Sequence, residues 1–128
     1  MSFSVDVAKF RDKAMRETER LRRAVCVELF RSIILDTPVD MGRARGNWQT
    51  TTGPANRGVI DRLDKSGAAT INEMRSNLGK GDVTVTMTNN LPYIRALEYG
   101  HSSKRPEGMV RINIARVRAN LLRKKLSV

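Results

Sequence analysis

From Val5 to Leu35 an apolar side chain returns every third or fourth position: Val7, Phe10, Ala14, Leu21, Val25, Leu29 and Ile33, with one polar gap at Thr18. That period belongs to an amphipathic helix of about 30 residues, roughly 45 Å long, and any fold must find room for it. Ser4 is placed to cap its start, and Asp6 lies in the first turn, where the helix dipole favours negative charge. Thr37-Pro38 closes it, because proline pushes the residue before it away from helical angles. The final turn adds Val27, Phe30, Ile34 and Leu35, so this end is apolar on more than one side and belongs deep in the core or between subunits.

Shorter elements follow. Trp48 to Thr52 has strand character and stops at Gly53-Pro54. Residues 53–66 read as a polar, mobile loop. Residues 67–78 suit a short helix presenting Ile71, Met74 and Leu78, and Val83, Val85 and Met87 then alternate with Thr as a half-buried strand. A short helix runs from Pro92 to Gly100, and a last one opens at Pro106-Glu107, with Met109, Ile112, Val117 and Leu121 as its apolar stripe. Taken alone, residues 109–114 fit a strand equally well. The whole predicts one α+β domain over 1–128: a long N-terminal helix packed on a small antiparallel β-sheet, with a short helix before, and a basic amphipathic helix at, the C-terminus.

Charge narrows the partners. The net charge is +11, and residues 101–128 carry eight Lys/Arg against a single Glu. The last helix shows Arg111, Arg116, Arg118, Arg123, Lys124 and Lys125 on one face. A negative partner is therefore expected, either nucleic acid or an acidic protein face. No aromatic residue lies among these cations, whereas single-strand and RNA readers interleave the two.

Catalysis finds little to work with. His101 is the chain's one histidine and Cys26 its one cysteine, so no zinc cluster, acid–base pair or internal disulfide is available. Cys26 lies mid-helix beside Val25 and Val27, which suits a small hydrophobe rather than a nucleophile. No glycine loop has a phosphate-binding form, no apolar run approaches a membrane span, and no secretory signal is visible at the start. The expectation is a protein that is not an enzyme, with no cofactor, no metal and no membrane.

The densest stretch is residues 37–49, TPVDMGRARGNWQ. Pro38 and Asp40 suit a tight turn, while Gly42 and Gly46 permit angles or close approaches that other residues resist. Arg43 and Arg45 are read as pointing outward, their planar donors ready for a carboxylate on another surface, with Trp48 anchoring the loop's exit.

Two stretches together resemble the neck or tail-completion (head–tail joining) proteins of long-tailed bacteriophages. That family's first motif reads Thr-Pro-Val-Asp-Thr-Gly-Arg followed by Gly-Asn-Trp, matched here by Thr37, Pro38, Val39, Asp40, Gly42, Arg43, Gly46, Asn47 and Trp48. Its second has Asn-x-x-Pro-Tyr, Leu-Glu-Tyr-Gly-His-Ser and Gly-Met-Val, filled by Asn90, Pro92, Tyr93, Leu97 to Ser102 and Gly108 to Val110. The order of helix, motif, strand, motif and basic helix extends the resemblance over most of the chain. Met41 departs from it, standing where a small polar residue is usual, and so does the Lys104-Arg105 pair before Pro106.

The resemblance implies a virion structural protein, made in the host cytoplasm and assembled as a homo-oligomeric ring at the head–tail junction, with the genome passing through. A hexamer is favoured and a dodecamer possible; the neighbours would be head-completion and tail tube or terminator proteins. Contact residues would then be Asp40, Arg43, Arg45, Trp48, Tyr93, Glu98, His101, Lys104 and Arg105. In a ring, Arg43 or Arg45 of one subunit would pair with Glu98 or another acid of the next. The basic face would line the channel or dock an acidic protein surface; fixed cations would drag on moving DNA, which favours docking. The alternative from another class is a small basic nucleic-acid-binding protein, a regulator or toxin.

Overall fold

A computed structural model describes the backbone of residues 3–81, 83–100 and 102–126, and side chains within 16–81, 83–100 and 102–123. The fold is α+β, in the order α1 (Phe3–Asp36), α2 (Arg43–Gly46), β1 (Gln49–Thr52), α3 (Ala68–Ser76), β2 (Val85–Thr88), α4 (Ile94–Glu98) and α5 (Val110–Leu126). The long helix is there at its predicted length. It begins at Phe3, ahead of Ser4, and the side chains of Ser4 and Asp6 lie outside the described residues. The single turn α2 was not anticipated.

β1 and β2 pair antiparallel, with Gln49 opposite Thr88 and Thr52 opposite Val85. Val83, predicted as part of the second strand, lies ahead of it and is exposed. Two four-residue strands cannot hold themselves together in water, so helices must complete the layer. α3 packs against both β1 and α1, and α5 also packs against α1. Ile33 and Ile34 from the apolar end of α1 meet Trp48, Met74, Leu78 and Met109 in one core, with Val85 and Met87 against it. Ile34, Met74, Leu78 and Met109 are fully buried, each stabilising by about 1.5–3 kcal/mol. The far end of α3 is tied to α1 by Arg22, whose guanidinium donates to the carbonyls of Leu78 and Gly79 at 3.2 and 3.1 Å.

The region 53–66 carries no regular structure, as expected, yet its second half is fastened rather than loose. The Ile60 amide donates to Asn47 Oδ1 at 2.9 Å, and Gln49 Nε2 donates to the Gly58 carbonyl at 2.7 Å. Arg62 reaches the carbonyls of Gly46 (2.8 Å) and Trp48 (3.0 Å) and pairs with Glu73. Asp64 is buried: its Oδ2 accepts from the Thr70 amide and hydroxyl at 2.8 and 2.7 Å, satisfying the start of α3. Burial by itself would raise this carboxyl, but those bonds, the Gly67 amide and the Arg62 charge bring it below the usual aspartate value.

The C-terminal helix corrects two expectations. It starts at Val110 rather than Pro106 and runs to Leu126, so the segment 109–114, open between strand and helix, is helical from Val110. Its inward face carries Asn113 and Val117, continuing from the buried Met109 just ahead of it, while Ile112 is 41% exposed. The stripe shifts because Asn113 is drawn inward: its amide donates to Asp36 Oδ2 at 2.8 Å and to the Met109 carbonyl at 2.7 Å. A polar residue with two good partners thus outranks a nearby isoleucine.

Candidate contact surface

Most of the first motif is spent on the fold. Thr37 is fully buried; its hydroxyl donates to the Ile33 carbonyl at 2.7 Å and accepts Trp48 Nε1–H at 2.8 Å. Trp48 is itself buried in the core, so it anchors the loop's exit as read and offers no contact surface. Gly42 has φ +88°, and a Cβ there would lie 2.7 Å from the backbone nitrogens of Asp64 and Lys65, so only glycine fits.

Arg45 overturns its outward reading. Its guanidinium turns in and donates to the carbonyls of Leu35 and Lys65, both at 2.6 Å, and of Thr37 at 3.0 Å. The last carbonyls of a helix have no partner within it, and a planar fork of donors one turn away is drawn to them before any outside acid. Burial lowers the pKa of this group, against the pull of Asp64 and Asp36, and Arg45 Nε is left without a partner. Arg45→Met should therefore cost about 2 kcal/mol by orphaning three carbonyls, measured by urea denaturation, whereas Arg43→Met should cost less than about 0.5 kcal/mol.

The second motif is a matching knot. Glu98 is buried, and its carboxylate accepts the amides of Met109 (2.9 Å), Val110 (2.8 Å) and Arg111 (3.0 Å), capping α5 from another helix. Arg111 Nε adds a bond at 2.9 Å, and the Arg111 guanidinium lies 4.3 Å over the Tyr99 ring. Burial alone would raise the Glu98 carboxyl; the three amides and Arg111 outweigh it and hold it below the usual glutamate value. Glu98 is thus engaged within its own chain, by three backbone amides and Arg111, where the sequence reading held it ready for Arg43 or Arg45 of a neighbour. Gly108 has φ +78°, and its missing Cβ is what lets the Glu98 carbonyl pass.

The Lys104-Arg105 hinge is also tied down. Lys104 Nζ donates to the Val39 carbonyl, and Arg105 pairs with Asp36 at 2.8 Å and Glu107 at 3.0 Å. Asp36, which the sequence reading did not single out, therefore holds both Arg105 and Asn113 at the end of α1. His101 lies outside the described residues. The two motifs face each other across a cleft of about 500 Å³, walled by Pro38, Met41 and Arg43 on one side and Tyr93, Leu97 and Lys104 on the other. Asp40 borders it and is exposed; Met41 and Tyr93 are 61% and 42% exposed. Among the described residues Arg43 has one ion-pair partner, Asp61, 3.9 Å away and almost wholly in solvent.

The basic face of α5 is smaller than the sequence suggests. Arg111 is engaged with Glu98, and Arg116 bridges to α1 through Glu28 at 2.8 Å and Ser32 at 2.7 Å. Arg118 and Arg123 stay exposed, and the side chains of Lys124 and Lys125 lie outside the described residues. Asp64, Arg62, Asn113 and Asp36 were missed by sequence reading. The one local signal was Asp64 just ahead of the Gly67 helix start, a place where a carboxylate cap is common.

Among the described residues no group of three or more His, Cys, Asp or Glu side chains could hold a metal ion. Burial pushes the Cys26 thiol up, away from the reactive thiolate. No family model, curated protein or solved structure matches the chain.

Proposed function

We propose that this chain is a structural protein of the head–tail junction of a long-tailed bacteriophage, one subunit of a ring that joins head and tail around the DNA channel. The reading starts from the resemblance of the two motifs, and one observation carries it further. Four residues of the two motifs that the fold does not consume (Asp40, Met41, Arg43, Tyr93) lie together at a cleft where the motifs meet. A half-exposed tyrosine and methionine beside an arginine held only by a long, solvent-exposed ion pair is the composition of a contact surface, since aromatics, Met and Arg are enriched at interfaces. Ring closure on this cleft, six subunits favoured and twelve possible, would join neighbouring head-completion and tail tube or terminator proteins in the virion.

Nucleic-acid binding remains the competing reading, favoured by the net charge of +11. With Arg111 and Arg116 held by internal acids, fewer cations are left to track phosphates along α5.

The test is genetic and structural. In a phage whose copy of this gene is interrupted, electron microscopy should show filled heads beside unattached tails, and the wild-type gene supplied in trans should restore joining. An Arg43→Ala/Tyr93→Ala copy should fail to restore it while melting at the wild-type temperature. Intact particles without the gene, together with a DNA shift that persists at moderate salt, would move the assignment to nucleic-acid binding.

A further inference from the structure

A second surface lies apart from the motif cleft. α5 runs antiparallel to α1: Asn113 reaches Asp36, Arg116 reaches Glu28 and Ser32, and Val117 and Leu121 come down beside Leu21 and Val25. Toward the end of α5 the two helices part around a groove of about 640 Å³. Its floor is apolar, built from Leu21, Ala24, Val25, Val117 and Leu121, because Ala24 and Asn120 are too short to fill the gap. Leu21 is left 54% exposed there, although it belongs to the apolar stripe of α1.

Charge says what fits. The acids on this stretch of α1 are Glu17, Glu19 and Glu28. Glu28 is held by Arg116 and Glu19 by Arg22, both at 2.8 Å. That leaves Glu17 against the exposed Arg20 and Arg31, which share Ala24's side of the helix at spacings of four and seven, and against Arg123 across the groove. A second copy of the chain seated here through a two-fold contact would set these arginines against one another. Duplex DNA would match the rim but gain nothing from the leucine floor.

We propose that the α1–α5 groove docks an amphipathic helix of a partner protein, its apolar face on Leu21 and Leu121 and its acidic flanks on Arg20, Arg31 and Arg123. The mode is a helix laid in a groove, anchored at positions i, i+3 and i+4, with the flanking charges setting direction and rate. It uses a surface other than the motif cleft, so it holds whether or not the head–tail reading does.

The probe is a fluorescent synthetic helix of about five turns, with Leu at every third or fourth position and Glu elsewhere, titrated with the full chain. Saturable binding is expected that weakens roughly tenfold in Leu21→Glu and in the Arg20→Glu/Arg123→Glu pair. Leu21 and these arginines are exposed, so the variants should melt like wild type. A peptide of the same composition with its leucine stripe scrambled should not saturate. Equal binding of the scrambled peptide or of a Lys-for-Glu version, or indifference to Leu21→Glu, would overturn the proposal. So would a concentration-dependent dimer abolished by Leu21→Glu, or displacement of the peptide by a short DNA duplex at equal concentration.

Discussion

Glu98→Ala should lower the melting temperature by roughly 10 °C, the shift that a loss of about 3 kcal/mol makes in a domain of this size. One carboxylate holds three backbone amides at the start of α5 and one arginine, and alanine leaves the amides unpaired, that of Met109 in a buried site, while the exposed Arg111 side chain can turn to water. The loss should centre on α5, so hydrogen exchange at Met109 to Arg111 should quicken more than in α3. The acid limb of the stability curve provides a second check. Because the folded-state pKa of Glu98 lies below the usual value of 4.5, its contribution is fully present above that pH and fades as the pH falls through the folded value. Glu98→Gln carries no such titration. The stability gap between wild type and this variant should therefore narrow as the solution is acidified, and a gap that stays constant would mean the carboxylate is not the cap.

The same residue shows where sequence reading stops. Local period and punctuation were enough for α1, since a 3.6-residue repeat ended by Thr37-Pro38 needs no tertiary information. They also placed β1, α3 and α4, each bounded by glycine or proline. What they could not supply was the direction of long side chains. Arg45 and Glu98 are charged residues in turn-rich segments, and by type such residues belong in solvent. Both turn inward because helix ends leave polar backbone groups unpaired, and which end lies nearest depends on contacts far apart in sequence. Arg45 finds the end of α1, and Glu98 finds the start of α5. The stripe of α5 was misplaced for a related reason: hydrophobicity ranks Ile112 above Asn113, but Asp36 supplies a half-buried partner for the asparagine from the far end of α1. The motifs were thus legible as something special, while their role as two internal knots was not. The contact role proposed for them rests on what the knots leave over at the cleft.

Gly46→Ala should be among the most damaging single-methyl additions the chain offers. A Cβ at this position would lie 2.2 Å from the Arg62 carbonyl oxygen, far inside contact distance, and the atom in the way is backbone rather than a flexible side-chain tip. To make room, the strand of loop at Arg62 must move outward. That movement pulls on the Arg62 bonds to the Gly46 and Trp48 carbonyls and on the Arg62–Glu73 pair, and it draws Asp64 away from the start of α3. An overpacking cost of about 3 kcal/mol follows, visible as a lower urea midpoint and as faster proteolysis within 58–66. Gly58→Ala serves as the internal comparison, because no heavy atom lies within 4 Å of the added methyl and its φ is not in the left-handed region. Alanine there trims the unfolded chain's freedom and should leave stability unchanged or raise it by up to about 1 kcal/mol. If both variants behaved alike, the tight passage between Gly46 and Arg62 would not be the feature that fastens the loop; if only Gly46→Ala loosened it, the glycine of the first motif would owe its place to the loop it lets through.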